Sequence, residues 1–250
     1  LFFMNTDQLI QETVLNRRQL DKTHENILCR MVRKGYQFIS EQQNLSSEIE
    51  VFRLTREDAC KLLDKYVSDT RRLAPRNHLA LFEVDNPQEL LRKYFRTWSL
   101  SGPAEMKLFE LDPTGNLAAE YAEYNSFDEE PEIKFMTMPN LVEAQKRYVA
   151  QTSLNTRTRN KLLELASGEQ FIRQEMELRR IFSVSTQVLM LKSPNGHEWM
   201  KRYTNYANLC EGAQTELFKM PKPKKMVRLY ESRRGLCEEA RELAKSYGWL

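Results

Sequence analysis

With 250 residues, 41% hydrophobic and 29% charged, the chain has the composition of a folded protein of one large or two small domains, which excludes intrinsic disorder. Eight glycines and nine prolines are too few for the turns of a many-stranded sandwich or barrel. The net charge of +3 is too balanced to make nucleic-acid binding the starting expectation, although it is unevenly spread: Lys and Arg number 4 against 10 Asp and Glu over residues 101–150, and 11 against 6 over residues 201–250.

The first proline is Pro75 and only Gly35 among the glycines precedes it, so the first 74 residues lack the usual helix breakers. On a helical wheel of about 100° per residue, Leu9, Ile10, Val14, Leu20, Ile27, Leu28, Met31, Val32, Phe38 and Ile39 fall in one sector roughly 140° wide. The pattern predicts one helix from an N-cap at Asn5 to about Glu41, on the order of 50 Å long, which must pack along another long helix. Arg17, Asp21 and His24 interrupt its apolar stripe, and polar groups in such a seam set the register of packed helices. The competing reading makes His24 an acid–base group oriented by Asp21.

The polar run from Glu41 to Ser47 ends that pattern, and Thr55 with Asp58 forms a capping box for a second helix through Leu62, Leu63, Tyr66 and Val67. Asn86, Pro87 and Glu89 start a third, carrying Leu90, Leu91, Tyr94 and Phe95, which Ser101-Gly102-Pro103 closes. Turn residues at Asp112 to Gly115 and an acidic run from Asp128 to Glu132 then mark residues 101–139 as an acidic connecting segment, between an N-terminal helical region (1–100) and a C-terminal one (140–250).

Helical signals resume at Asn140, around Lys161 to Ala166, and from Glu169 to about Arg180. The β-branched stretch Ile181 to Val188 is the one candidate for a short strand. The fold class expected is mainly α: an elongated multi-helix protein with long amphipathic helices and at most a minor β element. An internal echo relates Pro139-Asn140, Glu143, Lys146-Arg147-Tyr148 and Leu154 to Pro194-Asn195, Glu198, Lys201-Arg202-Tyr203 and Leu209 at an offset of 55 residues. Chance similarity and a shared capping pattern are the competing explanation.

In the last segment Met226, Leu229, Tyr230, Leu236, Cys237, Ala240, Leu243, Ala244 and Tyr247 share one sector, and Gly248 stands where a C-cap residue belongs, with Trp249 able to fold back on the last turn. Lys222, Lys224, Lys225, Arg228, Arg233 and Arg234 form the one cluster that helix stability does not account for, since cations in a first helical turn oppose the helix dipole. An anionic partner would account for them: RNA, an acidic protein surface or lipid headgroups.

Signatures of catalysis are missing. His197-Glu198 starts a zincin-like pattern, but Lys201 stands where the second histidine would be. No two glycines lie close enough to cradle a phosphate, and Cys29, Cys60, Cys210 and Cys237 are too scattered for a zinc site or a small disulfide framework. Neither a metal nor a cofactor is expected, and no apolar run reaches the roughly 18 residues of a membrane span.

The reading is therefore a non-catalytic accessory or scaffolding subunit of a larger multiprotein assembly, meeting other protein subunits through its amphipathic helices. An RNA-binding subunit such as an organellar ribosomal protein is the alternative, and an enzyme with a site assembled from distant residues, with His24, His78 and His197 the first positions to test, a third. The scattered cysteines favour a reducing intracellular compartment. The start Leu1-Phe2-Phe3-Met4 is compatible with a removed targeting segment, which makes a mitochondrial complex one candidate setting.

Overall fold

At Arg17 the backbone takes a φ of +56°, and the expected N-terminal helix breaks there. The computed structural model describes residues 6–34 and 55–250. In place of one long helix stand α1 (Thr6–Leu15) and α2 (Lys22–Lys34), separated by a turn. Asp21 accounts for the restart: its Oδ1 accepts the backbone N–H groups of Thr23 and His24 at 2.8 and 2.9 Å, so a helix begins at a residue that the wheel placed inside one. Asn5 and the run Glu41–Ser47 lie outside the described residues.

The chain divides into two compact units, residues 1–131 and 132–250. The first holds α1, α2, α3 (Arg56–Ser68), a 3₁₀ segment (Pro75–Phe82), α4 (Pro87–Phe95), α5 (Gly102–Leu111) and α6 (Asn116–Ala122). The division falls within α7 (Glu129–Met136). The second unit continues with α8 (Val142–Gln151), α9 (Thr156–Leu163), α10 (Glu169–Glu177), α11 (Val184–Lys192), α12 (Gly196–Tyr203), α13 (Glu211–Gln214) extended by a 3₁₀ turn (Thr215–Lys219), α14 (Pro223–Arg234) and α15 (Glu238–Ser246). The fold is mainly α, and no strand occurs among the described residues.

Several expectations hold and several change. The Thr55 capping box forms, with Thr55 Oγ1 accepting from Asp58 N at 3.1 Å, and α4 starts behind Asn86 as read. Ser101-Gly102-Pro103 does not close a helix but opens α5, because Pro103 sits in the first turn, where a missing N–H costs nothing. Residues 101–139, expected as an acidic connector, hold α5, α6 and α7, and Glu132 is buried instead of exposed. The β-branched stretch from Ile181 is helical from Val184, because Ser183 caps it by accepting from Thr186 N. The C-terminal stripe is split at Gly235, whose φ is +78°, into α14 and α15. No described helix exceeds 13 residues, so the long amphipathic helices are replaced by short ones.

The short helices follow one rule. Leu73, Leu100, Phe127, Leu154, Phe182, Leu209 and Leu236 are all buried, and they recur every 27 residues, with a single step of 28 between Leu154 and Phe182. Each precedes the residue before a helix, and between successive ones lies a helical hairpin. The 55-residue echo is thus two of these steps, one of 27 and one of 28, and its Tyr148/Tyr203 and Leu154/Leu209 are buried residues at matching places. Helical turns of this length cannot bury their apolar faces alone, and neighbouring hairpins provide the missing cover.

The tight hairpin of two consecutive repeats shows the same contact. A Cβ added to Gly168 would sit 2.1 Å from the carbonyl oxygen of Leu162, and one added to Gly196 would sit 2.2 Å from that of Leu191. Only glycine lets the second helix of the hairpin start this close to the end of the first.

Candidate functional site

A polar ladder lies inside the repeats. In the first unit Leu73 N donates to Tyr94 Oη at 3.2 Å, Tyr94 Oη meets His78 Nε2 at 3.0 Å, and His78 Nδ1 accepts the N–H of Ser101, the first residue of the next hairpin, at 2.8 Å. One repeat later Leu100 N donates to Tyr121, Tyr121 donates to Glu105 at 2.7 Å, and Glu105 accepts from Asp128 N at 2.7 Å. In the second unit Tyr148 donates to Glu132, which takes Asn155 N. Likewise Gln187 donates to Tyr203 and takes Cys210 N, while Gln214 takes Cys237 N. Phe182 N and Leu209 N donate to Tyr203 and Tyr230.

The rungs at Tyr94, Tyr121, Tyr203 and Tyr230 each satisfy two main-chain donors at the bends between helices, and that at Tyr148 satisfies Asn155 N. Such donors left buried and unpaired cost about 1–3 kcal/mol each. The chemistry also fixes protonation. Because His78 Nδ1 accepts a hydrogen bond from Ser101 N, the ring is neutral with its hydrogen on Nε2, and burial holds its pKa below the ordinary histidine value. Desolvation, followed by the charge of Glu105, pushes the Tyr121 hydroxyl far up, so it stays protonated, donating to Glu105 while accepting from Leu100 N. Burial likewise raises the pKa of Glu132. These buried titratable groups are spent on main-chain N–H groups.

The other residues singled out in sequence separate. Arg17 is exposed and lies 3.7 Å from Asp69 at the α1–α2 turn, while His24 Nδ1 contacts Asp21 Oδ2 at 2.6 Å at the start of α2. There is no continuous helix on which Arg17, Asp21 and His24 could form one register seam; the three shape a corner instead. Hydrogen bonds from His24 hold the Asp21 carboxyl below its usual range. Among the described residues no three His, Cys, Asp or Glu side chains are placed to hold a metal ion, and no helix is long and apolar enough to cross a membrane. All four cysteines are free.

The basic cluster divides in two by its contacts. Arg233 donates to the carbonyl of Lys201 and to Asn205 at 3.3 and 3.2 Å, and Arg234 donates to the carbonyl of Thr204 at 2.6 Å. These two arginines close the C-terminal end of α12, where cations favour the dipole. Lys222, Pro223, Lys224, Lys225 and Arg228 instead line a shallow depression of about 470 Å³ at the start of α14. Lys222 holds a left-handed backbone (φ 58°) between two prolines.

The depression differs from other charged surfaces in its lack of counter-charges. Lys146, Lys161, Lys192, Lys219 and Lys245 each lie 2.7–3.8 Å from a glutamate, whereas Lys201, Lys222, Lys224 and Lys225 have no carboxylate partner among the described residues. His197 reports their field: burial first, then Lys201, Lys225 and Lys222, hold its pKa below the ordinary value. A groove of about 370 Å³ in the first unit, lined by Glu57, Lys61, Asp64, Glu89 and Lys93, is self-neutralised, since Lys61 pairs with Glu57 and Lys93 bridges Asp64 and Glu89.

Tyr230, which lies between Arg228 and Arg233 in sequence, is fully buried in the ladder. The aromatics at the site come from elsewhere. Phe218 and Trp249 stack at 5.5 Å, Tyr247 and Trp249 at 4.9 Å, and Arg228 Nε donates to the Trp249 carbonyl at 2.6 Å, which ties this cluster to the basic depression. The Gly248 C-cap places them: Gly248 has a φ of +64°, and Trp249 N folds back on Ala244 O at 3.0 Å. No family model matches the chain, and no curated protein or solved structure is significantly similar to it.

Proposed function

We propose that the protein is a non-catalytic accessory or scaffolding subunit of a larger multiprotein assembly, with a mitochondrial complex as one setting. The observation that carries this reading is the ladder: His78, Glu105, Glu132, Gln187 and Gln214, five of the buried polar side chains, each accept a main-chain N–H of the next hairpin. Tandem αα hairpins leave the outer faces of their helices open to a partner. In the second unit Leu178, Ile181 and Val184 are 42%, 67% and 46% exposed, and large apolar side chains grouped in this way favour a protein partner.

The test is recovery of the tagged chain from native extract, with cross-linking and identification of stoichiometric partners. Stable partners that are lost on Ile181→Asp, with an unchanged melting temperature, are expected. Recovery as a free monomer under conditions that preserve other complexes would reject the reading.

A further inference from the structure

The surface at the start of α14 combines three features that neither helix stability nor packing accounts for. The first is its uncompensated charge: Lys222, Lys224 and Lys225 are exposed, lack carboxylate partners and occupy the end of a helix where the dipole disfavours them. The second is the backbone of Lys222, which takes the left-handed conformation although it is not glycine, a strain of order 1 kcal/mol that brings its side chain into the depression. The third is the aromatic surface. Tyr247 is 58% exposed and leans on Trp249, itself backed by Phe218, and Arg228 links the rings to the lysines while using only its Nε to do so.

Cations alone would suit any anion. A lipid headgroup layer would be served by lysines with apolar side chains inserting below them, and an acidic protein surface by a flat field of charge. Parallel aromatic rings beside unpaired cations fit a ligand that alternates phosphates with flat bases. We propose that this surface binds single-stranded nucleic acid, with Lys222, Lys224, Lys225 and Arg228 on the phosphates and Tyr247 offering its free ring face to a base. Duplexes, whose bases are stacked inside, would meet only the cations. The inference stands apart from the proposed scaffolding role and does not require it.

Fluorescence anisotropy on the full chain tests it, using labelled RNA and DNA single strands of about 12 nucleotides, a duplex of the same sequence and, as competitor, vesicles containing phosphatidylserine. Single strands should bind more tightly than the duplex, and the affinity should fall steeply between about 50 and about 200 mM salt. Whichever of RNA and DNA binds more tightly identifies the natural strand. Tyr247→Ala should weaken binding about tenfold, Tyr247→Phe should retain it, and Lys222→Gln with Lys225→Gln should lower both the affinity and the salt slope. Tyr247 and the lysines are exposed, so thermal melts of these variants should match the parent chain. Equal affinity for single strand and duplex, indifference to Tyr247→Ala, displacement by the vesicles at lower concentration than by single strands, or no binding at low salt would each overturn the proposal.

Discussion

Two neighbouring repeats of the second unit solve the same problem with different chemistry. In one, neutral Gln187 and Tyr203 share a hydrogen bond and satisfy the N–H groups of Cys210 and Phe182. In the other, Arg159 stands at the glutamine's place and Glu175 at the tyrosine's. The two form a buried ion pair, Glu175 Oε1 accepts from Leu154 N at 3.3 Å, and Arg159 also reaches Ser153. The closing helix repeats the ionic solution near the surface, where Arg241 pairs with Glu231 at 3.1 Å and Glu231 accepts from Leu236 N. That bond from Leu236 N holds the Glu231 carboxyl below its usual range. What the repeats share is a donor–acceptor arrangement, and the residue types are free to vary within it.

The largest test of this equivalence is to break the ionic rung. Arg159→Met leaves the fully buried Glu175 carboxylate unpaired and should cost about 3–5 kcal/mol in urea denaturation. The double change Arg159→Gln with Glu175→Tyr rebuilds the neutral rung and should recover most of that loss; failure to recover would show that the two rungs are not interchangeable.

The closing helix should behave unevenly. Leu236 is 5% exposed and occupies the repeated apolar position, so Leu236→Ala should cost about 2–5 kcal/mol, whereas Leu243, 37% exposed, should tolerate Ala with little change in melting temperature. Burial along this stripe follows the repeat and not the wheel. Tyr203→Phe should then cost about 1–3 kcal/mol, because Phe182 N loses its acceptor, with the fold retained by circular dichroism.

The histidine rung gives a pH test. Its folded pKa is depressed, so its contribution to stability is complete above the unfolded value of 6.5 and is lost as pH falls below it towards the folded pKa, because the unfolded chain takes up the proton first. His78→Gln, the residue found at the corresponding place in two other repeats, should remove that acid-side loss in melts from pH 7 to pH 5 while preserving the neutral-pH fold. The smallest effect concerns the surface: Lys222→Gln with Lys225→Gln should raise the His197 pKa, read by NMR titration, since both lysines oppose its protonation.

The sequence by itself determined that the chain is helical, where Thr55 and Asn86 start helices, and that Gly248 ends one, because caps and breakers act over a few neighbouring residues. It also carried one trace of the repeat, the 55-residue echo, since two hairpins happen to share a lysine–arginine–tyrosine run. The 27-residue step was hidden because its central position is His78, Glu105, Glu132, Arg159, Gln187 or Gln214 in turn: all but Arg159 accept a main-chain N–H of the next hairpin, and Arg159 pairs with Glu175 instead. Tertiary structure alone decided how the bends between hairpins are held, since the main-chain donors of Leu73, Leu100 and Leu209 are each accepted by a tyrosine 21 residues further on. It alone also brought Phe218 beside Trp249 and both beside Arg228, a grouping that no local spacing encodes.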